Sequence, residues 1–489
     1  MLPYKSLISF DRNSSVAVYV QLCNQFIALI TKGLLKPKAA LPSSRKLAGL
    51  LGVNRNTIKL AYDELISQGW AEPVDRTGIF VLSKLPETMQ APLVDAPREE
   101  DLKEAFVWNK PNTLRLRSTT EYKQQRLKID DGFPDVRLTP IDTLMREYRS
   151  ISKKYYGKSY LKYGNPKGSK NLRNSISDYL SKTRGFTVDP EDILVTKGSQ
   201  MGIYLVTELV LTPQDTIAVG MSNYFAADHT FQNRGANLLR IPVDAEGMDT
   251  DYLEECLQSQ KIKAVYIIPH HHWPTTVTLS MERRLKLLNL AKEYRFAIIE
   301  DDYDFDFHYR NKPYLPMASI DHNRSVLYIG SLCKTFAPGI RIGFLAGSSD
   351  FINAATSVRS LIDRQGDTLL EEALSAMYDN GEMERHFRKS VKIYQERRDL
   401  FCRILKDDFH SSLHFTTPEG GMAVWTHFDE DINLMDVVQK VNKHGMDIPN
   451  PEIYKNEVFS ENSLRLGFAS LQEKEIITAL DILKKGLTS

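Results

Sequence analysis

Six short, almost uninterrupted apolar runs lie between residues 192 and 347 of this 489-residue chain. They read DILVTKG, TIAVG, AVYIIP, FAIIEDD, SVLYIGS and IRIGFLAG, and segments of helical pattern separate most of them. Runs this short and this apolar are typical of parallel strands that are buried on both faces. From residue 123 onward the chain is therefore predicted to form an α/β fold with a helix-covered parallel sheet. Its last hundred or so residues are predicted to form a smaller α+β part.

Lys334 follows one of these runs, in the segment LYIGSLCKTFAPGIRIGF at residues 327–344. A buried ammonium group costs free energy unless it is paired, neutralised or used in chemistry. Open α/β sheets bind their ligands at the carboxyl ends of the strands. The residues that follow the other predicted strands are therefore the candidates for explaining this lysine.

Five residues near these strand ends suit a phosphate group. Gly198, Ser199 and Gln200 lie between a strand and a helix, where small residues expose the N–H groups of the helix N-terminus. Ser331 and Arg341 supply a hydroxyl and a guanidinium group from a single segment. We predict that all five contribute to a phosphate-bearing cofactor site.

Three further residues suit a flat, charged ring. Asp301 and Tyr303 lie at and just past the end of the run FAIIEDD, and Tyr224 follows TIAVG and can stack on a ring. Together with the lysine, these groups predict pyridoxal 5′-phosphate, with which Lys334 would form a Schiff base. Asp301 would keep the pyridinium nitrogen protonated, and Tyr303 would hydrogen-bond the phenolic oxygen.

Metal and disulfide sites are not predicted. The histidines His270, His271 and His272 are consecutive, so neighbouring side chains point to opposite faces, and no set of carboxylates and cysteines accompanies them. His271 is instead expected near the cofactor. The four cysteines form no CxxC pair, which indicates a reducing cytoplasm, and no apolar stretch approaches the roughly 18 residues of a membrane span.

The first 85 residues differ from the rest in charge and pattern. They carry 11 Lys and Arg against 5 Asp and Glu, whereas the remainder carries 52 against 57, and a basic block of domain size is typical of nucleic-acid-binding proteins. Two helices are predicted around a turn at residues 52–54, followed by strands AEPV and GIFVL joined by DRTG. This is a winged helix-turn-helix, whose second helix enters the major groove of DNA. A helical hairpin that binds protein is the alternative.

The same region resembles the GntR-type DNA-binding domain. It carries the patterns Pro-Ser-x-Arg, Leu-Ala, Leu-Gly-Val, Arg-x-Thr and Ala-Tyr-x-x-Leu, followed by a glycine in the wing. Asn54 stands where that family usually has serine. The predicted contacts to phosphates and bases come from seven residues: Ser44, Arg45, Arg55, Asn56, Thr57, Lys59 and Gly78.

Residues 130 to 475 resemble the fold-type I aminotransferases. The motifs YGNPKGSKNLR, RGFTVDPEDILVTKGSQ, EDDYDFDF and SLCKTFAPGIRIGF occur in the order found in that family. The resemblance implies that Arg465, in SLRLGF, binds the carboxylate of a substrate or effector. It also implies a homodimer in which Tyr163 reaches the cofactor of the partner subunit.

One motif departs from the aminotransferase pattern. Where those enzymes carry Asn-Pro-x-Gly, this chain has Trp273 in place of the asparagine and Thr276 in place of the glycine, within HHHWPTT. The MocR-type transcription regulators join a GntR-type domain to an aminotransferase-like domain, and they commonly carry PxHxxPT at this point. The chain resembles that family over nearly its whole length. The resemblance implies a head-to-tail homodimer that binds double-stranded operator DNA.

The predicted function is a PLP-dependent DNA-binding transcription regulator that senses an amine, an amino acid or a B6 vitamer. Residues 1–85 would form the winged helix-turn-helix, 86–122 a linker, and 123–489 the aminotransferase-like domain, with a large part near 150–370 and a smaller part near 371–489. A working aminotransferase with an added DNA-binding domain is the alternative, although the missing asparagine argues against efficient turnover. A folded scaffold without cofactor is the third possibility.

Overall fold

The computed structural model describes residues 2–85, 126–309, 314–321 and 323–488. The chain forms two compact units, Met1–Asn109 and Lys110–Ser489. The predicted linker at residues 86–122 lies outside the described residues, so the domain boundaries stay predictions.

The first unit is a winged helix-turn-helix. Ser43 caps α3 by accepting a hydrogen bond from the backbone N–H of Lys46, and Gly52 ends the helix in the left-handed conformation with φ 66°. Asn54 caps α4 in the same way, by accepting from the backbone N–H of Asn56. The predicted fold is thereby confirmed. The elements are α1 Tyr4–Leu7, α2 Val18–Thr31, α3 Ser44–Leu51, α4 Arg55–Ser67, β1 Ala71–Val74 and β2 Gly78–Val81.

One stripe of α4 holds this unit together. Ile58, Ala61, Tyr62 and Leu65 are buried against α2 and α3, and the hydroxyl of Tyr62 donates to the carbonyl of Pro42 at 2.8 Å. The apolar spacing of three and four residues places these side chains on one face. The opposite face of α4 is therefore left to solvent or to a partner.

A seven-stranded sheet forms the centre of the second unit, in the order β4-β12-β11-β10-β9-β5-β6. Its strands are β4 Ile193–Thr196, β5 Thr216–Gly220, β6 Asn237–Ile241, β9 Ala264–Ile267, β10 Ala297–Asp302, β11 Val326–Ser331 and β12 Gly343–Ala346. The prediction of an all-parallel sheet is wrong for β12, which runs antiparallel to both neighbours. Only residues 332–342 join β11 to β12, and so short a connection without an α-helix cannot make a parallel crossover.

A three-stranded antiparallel sheet, β13-β14-β16, lies in the last part of the chain. Helices α14 and α15 accompany it, so the predicted smaller α+β part is observed. The strands outside the large sheet are β3 Leu127–Lys128, β7 Val243–Asp244, β8 Gly247–Met248, β13 Leu413–Phe415, β14 Ala423–Phe428, β15 Met446–Asp447 and β16 Ser463–Gly467. The helices of this unit are α5 Ile141–Lys153, α6 Lys170–Arg184, α7 Ser199–Val210, α8 Phe225–Asn233, α9 Thr250–Ser259, α10 Met281–Tyr294, α11 Ser349–Ile362, α12 Thr368–Asp379, α13 Glu382–Asp408, α14 Leu434–Lys443 and α15 Glu473–Thr488.

Helix length and apolarity bear on membrane insertion. Across the described ranges, none of the helices is both long and apolar enough to cross a bilayer. The 27 residues of α13 make it long enough, but it carries charged residues along its length.

Candidate functional site

A cavity of about 260 Å3 opens at the carboxyl ends of the strands of the large sheet. Its volume is close to the lower end of small-molecule sites, about 300 Å3. Nine of the residues predicted from the sequence line it: Ser199, Gln200, Tyr224, Asp301, Tyr303, Ser331, Lys334, Arg341 and Arg465. Residues that are far apart in the chain therefore meet in one place, as the rule for open α/β sheets predicts.

Lys334 lies half-buried in this cavity, three residues past the end of β11. Its Nζ donates to the carbonyl oxygen of Gly132 at 2.8 Å. The same Nζ lies 3.7 Å from the centre of the Phe133 ring, which is a cation–π contact. The turn around Gly132 and Phe133 therefore positions the amine, a role that the sequence did not reveal.

Asp301 is the most informative residue of the site. Its carboxylate is buried, and the hydroxyl of Tyr266 donates to Oδ2 at 2.6 Å. The other oxygen, Oδ1, is buried and has no hydrogen-bond partner among the described residues. The pKa of Asp301 is raised to about 7, mainly by burial and also by the nearby charges of Asp302 and Asp304, although the hydrogen bond from Tyr266 acts to lower it. A positively charged N–H donor, such as a pyridinium nitrogen, would satisfy this oxygen and favour the ionised carboxylate.

The phosphate end of the predicted site lies at the start of α7. Gly198 caps that helix with φ 81°, and a Cβ there would come within 2.9 Å of Arg341 Nη2. Arg341 donates to the carbonyl of Lys197 at 2.9 Å, and the Ser331 hydroxyl accepts from the backbone N–H of Cys333 at 3.2 Å. The helix N-terminus, a hydroxyl and a guanidinium group therefore meet around a position that only glycine leaves open.

Gln200 also joins two helices of the site. Although the residue lines the cavity, its side-chain amide donates to the Thr230 hydroxyl at 2.8 Å and to the Ala226 carbonyl at 3.4 Å. The amide nitrogen thus joins α7 to α8. A direct contact with the phosphate stays a prediction.

Aromatic side chains form one wall of the cavity. Tyr224 lies at the start of α8, and its ring meets the ring of Trp273 edge to face with centroids 5.8 Å apart. Trp273 is buried and also contacts Phe225 at 5.8 Å and Tyr454 at 5.4 Å. The change from asparagine to Trp273 therefore replaces a small amide by a large indole ring beside the predicted cofactor.

Arg465 extends from β16 into the cavity and is fully buried. Its guanidinium donates to the carbonyls of Asp131 and Pro274, each at 2.9 Å, and to the hydroxyl of Tyr303 at 3.1 Å. Tyr303 in turn donates to the carbonyl of His271 at 2.8 Å, and burial holds its pKa well above the ordinary value. Because these three acceptors are neutral, an incoming carboxylate would be the favoured partner for the guanidinium.

The side chain of His271 does not line the cavity, and its predicted contact with the cofactor stays a prediction. The residue has φ 48°, and Nδ1 of its ring pairs with Asp304 Oδ1 at 2.9 Å. The ring packs against Gly420, where a Cβ would collide with Nε2. The local backbone turn therefore directs the imidazole away, and only the carbonyl contacts Tyr303 of the site. Among the described residues, no group of three or more His, Cys, Asp or Glu side chains is arranged to hold a metal ion.

Tyr163 lies outside the cavity with 77% of its surface exposed. The guanidinium of Arg364 covers its ring at 4.0 Å. The residue is therefore available to another chain, and its predicted contact with a partner's cofactor stays a prediction.

Several residues of the site were missed in the sequence, among them Asp131, Gly132, Phe133 and Tyr266. Asp131, Gly132 and Phe133 come from DDGFPD, a turn signal with Gly and Pro that carried no functional prediction. Tyr266 lies in β9, whose register with β10 places it beside the Asp301 strand. A tyrosine in the otherwise aliphatic run AVYIIP was the signal, because a buried hydroxyl needs a partner.

The predicted DNA contacts lie on the open side of α3 and α4. Arg45, Arg55, Asn56 and Lys59 are exposed, and the Nε of Arg55 donates to the Ser44 hydroxyl at 3.3 Å. Thr57 and Ser44 are half-buried, and Gly78 begins the second strand of the wing with φ 132°. The structure thus brings the beginnings of the two helices together, whereas contact with DNA stays a prediction for each residue.

Comparison with known families accounts for both units. Residues 136–483, more than half of the chain, match the family described as aminotransferase class I and II. The chain belongs to this family. Residues 18–81 of this aminotransferase-family protein match the bacterial regulatory proteins of the gntR family.

Similar proteins include both regulators and enzymes. The HTH-type transcriptional regulator YisV of Bacillus subtilis is 28% identical over 95% of each chain. The probable rhizopine catabolism regulatory protein MocR of Rhizobium meliloti is 26% identical over 86% of this chain and 84% of its own. Aromatic-amino-acid aminotransferase 1 of Thermococcus litoralis is 28% identical over 80% of this chain and 95% of its own. The predicted resemblance to MocR-type regulators is confirmed.

A solved structure supports the fold of the second unit. The kynurenine aminotransferase of Pyrococcus horikoshii, determined in complex with PMP, superposes with a TM-score of 0.69 at 28% identity, covering 75% of this chain and 91% of its own. The family and the residues around the cavity indicate pyridoxal phosphate as the cofactor. The chain is a DNA-binding regulator built on an aminotransferase domain.

Proposed function

We propose that this protein regulates transcription by sensing an amine, an amino acid or a B6 vitamer in the cytoplasm. The observation that carries the proposal is a single cavity holding Lys334, Asp301 and Arg465, in a chain that also has a GntR region. An amine-reactive ligand site and a DNA-binding unit are thereby joined in one molecule. The predicted boundaries, with a linker at 86–122, belong to the same proposal.

The cavity residues fit pyridoxal phosphate. When bound, the cofactor supplies an electrophilic carbon for amines and a ring that withdraws electrons. Lys334 would hold it covalently, and the unpartnered oxygen of Asp301 would accept from the ring N–H. Gly198, Ser331 and Arg341 would bind the phosphate through backbone N–H, hydroxyl and guanidinium donors.

The effector would compete with Lys334. An effector amine would displace Nζ of this residue, and an effector carboxylate would engage the guanidinium of Arg465. Lys334 follows the large sheet and Arg465 lies in the smaller one, so one ligand would bridge the two parts of the unit. A ligand shifts a conformational equilibrium only by binding two states differently, and such a bridge supplies the difference.

A homodimer is supported by an exposed apolar surface. The Arg364 guanidinium covers the Tyr163 ring, and the Gln365 side chain accepts from the backbone N–H of Gly164, so two distant segments lie side by side. Clusters of exposed apolar side chains mark protein interaction sites. The head-to-tail arrangement follows from the resemblance to MocR-type regulators. The exposed apolar residues of the two segments are Tyr155, Tyr156, Leu161, Tyr163, Leu361 and Ile362.

Catalysis is the second candidate function. Lys334, Asp301 and Arg465 supply the groups for a transamination half-reaction, and the relatives of this chain include aminotransferases. Trp273 argues against efficient turnover, because the asparagine amide that aminotransferases place beside the cofactor is missing.

Two measurements on the purified, PLP-loaded protein separate the candidates. We expect slow or no steady-state turnover over a panel of amino acids and keto acids, together with a sequence-selective footprint on DNA. Turnover of about 10 per second, typical of enzymes, without any selective footprint would contradict the regulator and establish the enzyme.

A further inference from the structure

We infer that Arg12, in the segment before α2, forms an additional contact to the DNA backbone beside the recognition helix α4. This inference rests on the proposed function, because it assumes that the first unit binds DNA. It concerns a segment that belongs neither to the helix-turn-helix nor to the wing.

The segment that carries Arg12 is fixed to the unit. The Gln21 side chain of α2 accepts from the backbone N–H of Asp11 at 2.9 Å and donates to the Asp11 carbonyl at 2.9 Å. It also donates to the carbonyl of Val16 at 2.6 Å, and buried Ile8 anchors the preceding residues. Three hydrogen bonds from one glutamine therefore hold an exposed stretch in a defined path.

The guanidinium of Arg12 lies at the turn before the recognition helix. Its Nη2 donates to the carbonyl of Gly52 at 2.5 Å, and Gly52 is two residues from Asn54, the cap of α4. In helix-turn-helix proteins the N-terminal residues of the second helix contact the base edges. The turn that immediately precedes that helix therefore approaches the walls of the groove, where the phosphates lie.

The guanidinium of Arg12 lies 6.0 Å from the centre of the Phe10 ring, and no carboxylate among the described residues of the unit neutralises its charge. Arg12 is exposed, and within the described ranges no carboxylate forms an ion pair with it. A single hydrogen bond to Gly52 uses one of its five N–H donors. The remaining donors, in a planar fork, suit bidentate binding of a phosphate.

The position of Arg12 relative to other basic residues favours a contact with the DNA backbone. Arg45 lies in the first turn of α3, Arg55 begins α4, and Arg12 lies at the C-terminal end of α3. Helix α3 has eight residues and spans about 12 Å. Guanidinium groups therefore lie at both ends of α3, with the start of α4 beside them.

A simpler role for Arg12 is to cap the carbonyl groups at the end of α3. The two roles differ in their dependence on salt. A phosphate contact releases about 0.9 counterions from duplex DNA, so its loss lowers the slope of log K against log salt by that amount. A lost cap lowers the unfolding temperature of the protein and leaves this slope unchanged.

The test compares five full-length, PLP-loaded proteins on one mixed-sequence DNA duplex: wild type, Arg12→Gln, Arg12→Lys, Arg55→Gln and Lys474→Gln. Lys474 is an exposed lysine at the start of α15 in the second unit, and it serves as the matched loss of charge. We expect Arg12→Gln to lower the salt slope by about 0.9 and to weaken binding on the order of tenfold near 0.1 M salt. Lys474→Gln is expected to match the wild type. Arg12→Lys, which keeps the charge, is expected to restore most of the slope.

The possible results distinguish the Arg12 contact from DNA binding by the first unit as a whole. If Arg55→Gln lowers the slope and Arg12→Gln does not, the Arg12 contact is wrong and DNA binding by this unit stands. If Arg12→Gln only lowers the unfolding temperature, the capping role replaces the contact. If neither variant changes the slope, both the contact and the proposed DNA-binding face are wrong.

Discussion

At the scale of single residues, Asp301 decides what the cavity can bind. A buried carboxylate with one satisfied and one unsatisfied oxygen is unfavourable by itself, since each missing hydrogen bond costs about 1–3 kcal/mol. A protonated ring nitrogen removes that cost and fixes the orientation of the ring. The empty acceptor therefore points to pyridoxal phosphate independently of any sequence motif.

Asp301→Ala is expected to weaken pyridoxal phosphate binding by at least tenfold, because the ring nitrogen would lose its buried partner. Titration of the cofactor-free protein, followed by visible absorbance, measures the effect. Asp306→Ala provides a comparison, since this carboxylate pairs with Arg184 outside the cavity. Equal cofactor affinity of wild type and Asp301→Ala would contradict the assignment.

The titration of Asp301 predicts a pH dependence of stability. Burial raises its pKa in the folded, cofactor-free protein to about 7, whereas an exposed aspartate has a pKa near 3.9. Between these values the folded state binds one more proton than the unfolded state, so stability falls as pH rises. We expect cofactor-free wild type to lose more stability than Asp301→Asn between pH 5 and about pH 8. Urea unfolding at several pH values measures this, and parallel curves would contradict it.

Arg465 is the second single residue whose substitution tests the site. Arg465→Ala is expected to abolish the response to effectors that carry a carboxylate and to spare simple amines, because the guanidinium is the buried cation suited to that group. Spectral titrations with paired ligands, one with and one without a carboxylate, test this. An unchanged preference would assign carboxylate recognition to another residue.

At the scale of elements, the sequence predicts those helices, strands and turns that depend on neighbouring residues alone. The helix boundaries around Gly52 and Asn54 and both wing strands follow from caps and turn residues. The direction of β12 does not, because it depends on the length of the connection from β11 and not on the apolar run itself. The orientation of His271 also escaped prediction, since a single positive φ turns its ring away from the cavity.

The start of α7 offers a test at this scale. Gly198→Ala is expected to reduce cofactor affinity strongly, because a Cβ would lie 2.9 Å from Arg341 Nη2 at a backbone φ of 81°. Gly445→Ala is the matched control, since its φ is also positive, at 86°, and a Cβ there meets nothing within 4 Å. Similar cofactor affinity of the two variants, measured by absorbance titration, would show that the phosphate lies elsewhere.

At the scale of the whole molecule, the two units carry separable activities. The predicted DNA-binding residues and the cavity belong to different compact units and share no residue. Arg55→Ala is therefore expected to weaken DNA binding and leave cofactor loading unchanged, whereas Lys334→Ala is expected to do the reverse. Footprinting and absorbance on the same preparations check both directions. Loss of both activities in either variant would contradict this separation.

The central claim is a covalent bond between Lys334 Nζ and the aldehyde carbon of pyridoxal phosphate. The most direct measurement treats the PLP-saturated protein with a hydride donor, digests it, and locates the added mass by peptide mass spectrometry. The account predicts a phosphopyridoxyl increment on Lys334 in wild type and no increment at this position in Lys334→Ala. An unmodified Lys334 peptide from the saturated wild-type protein would contradict it.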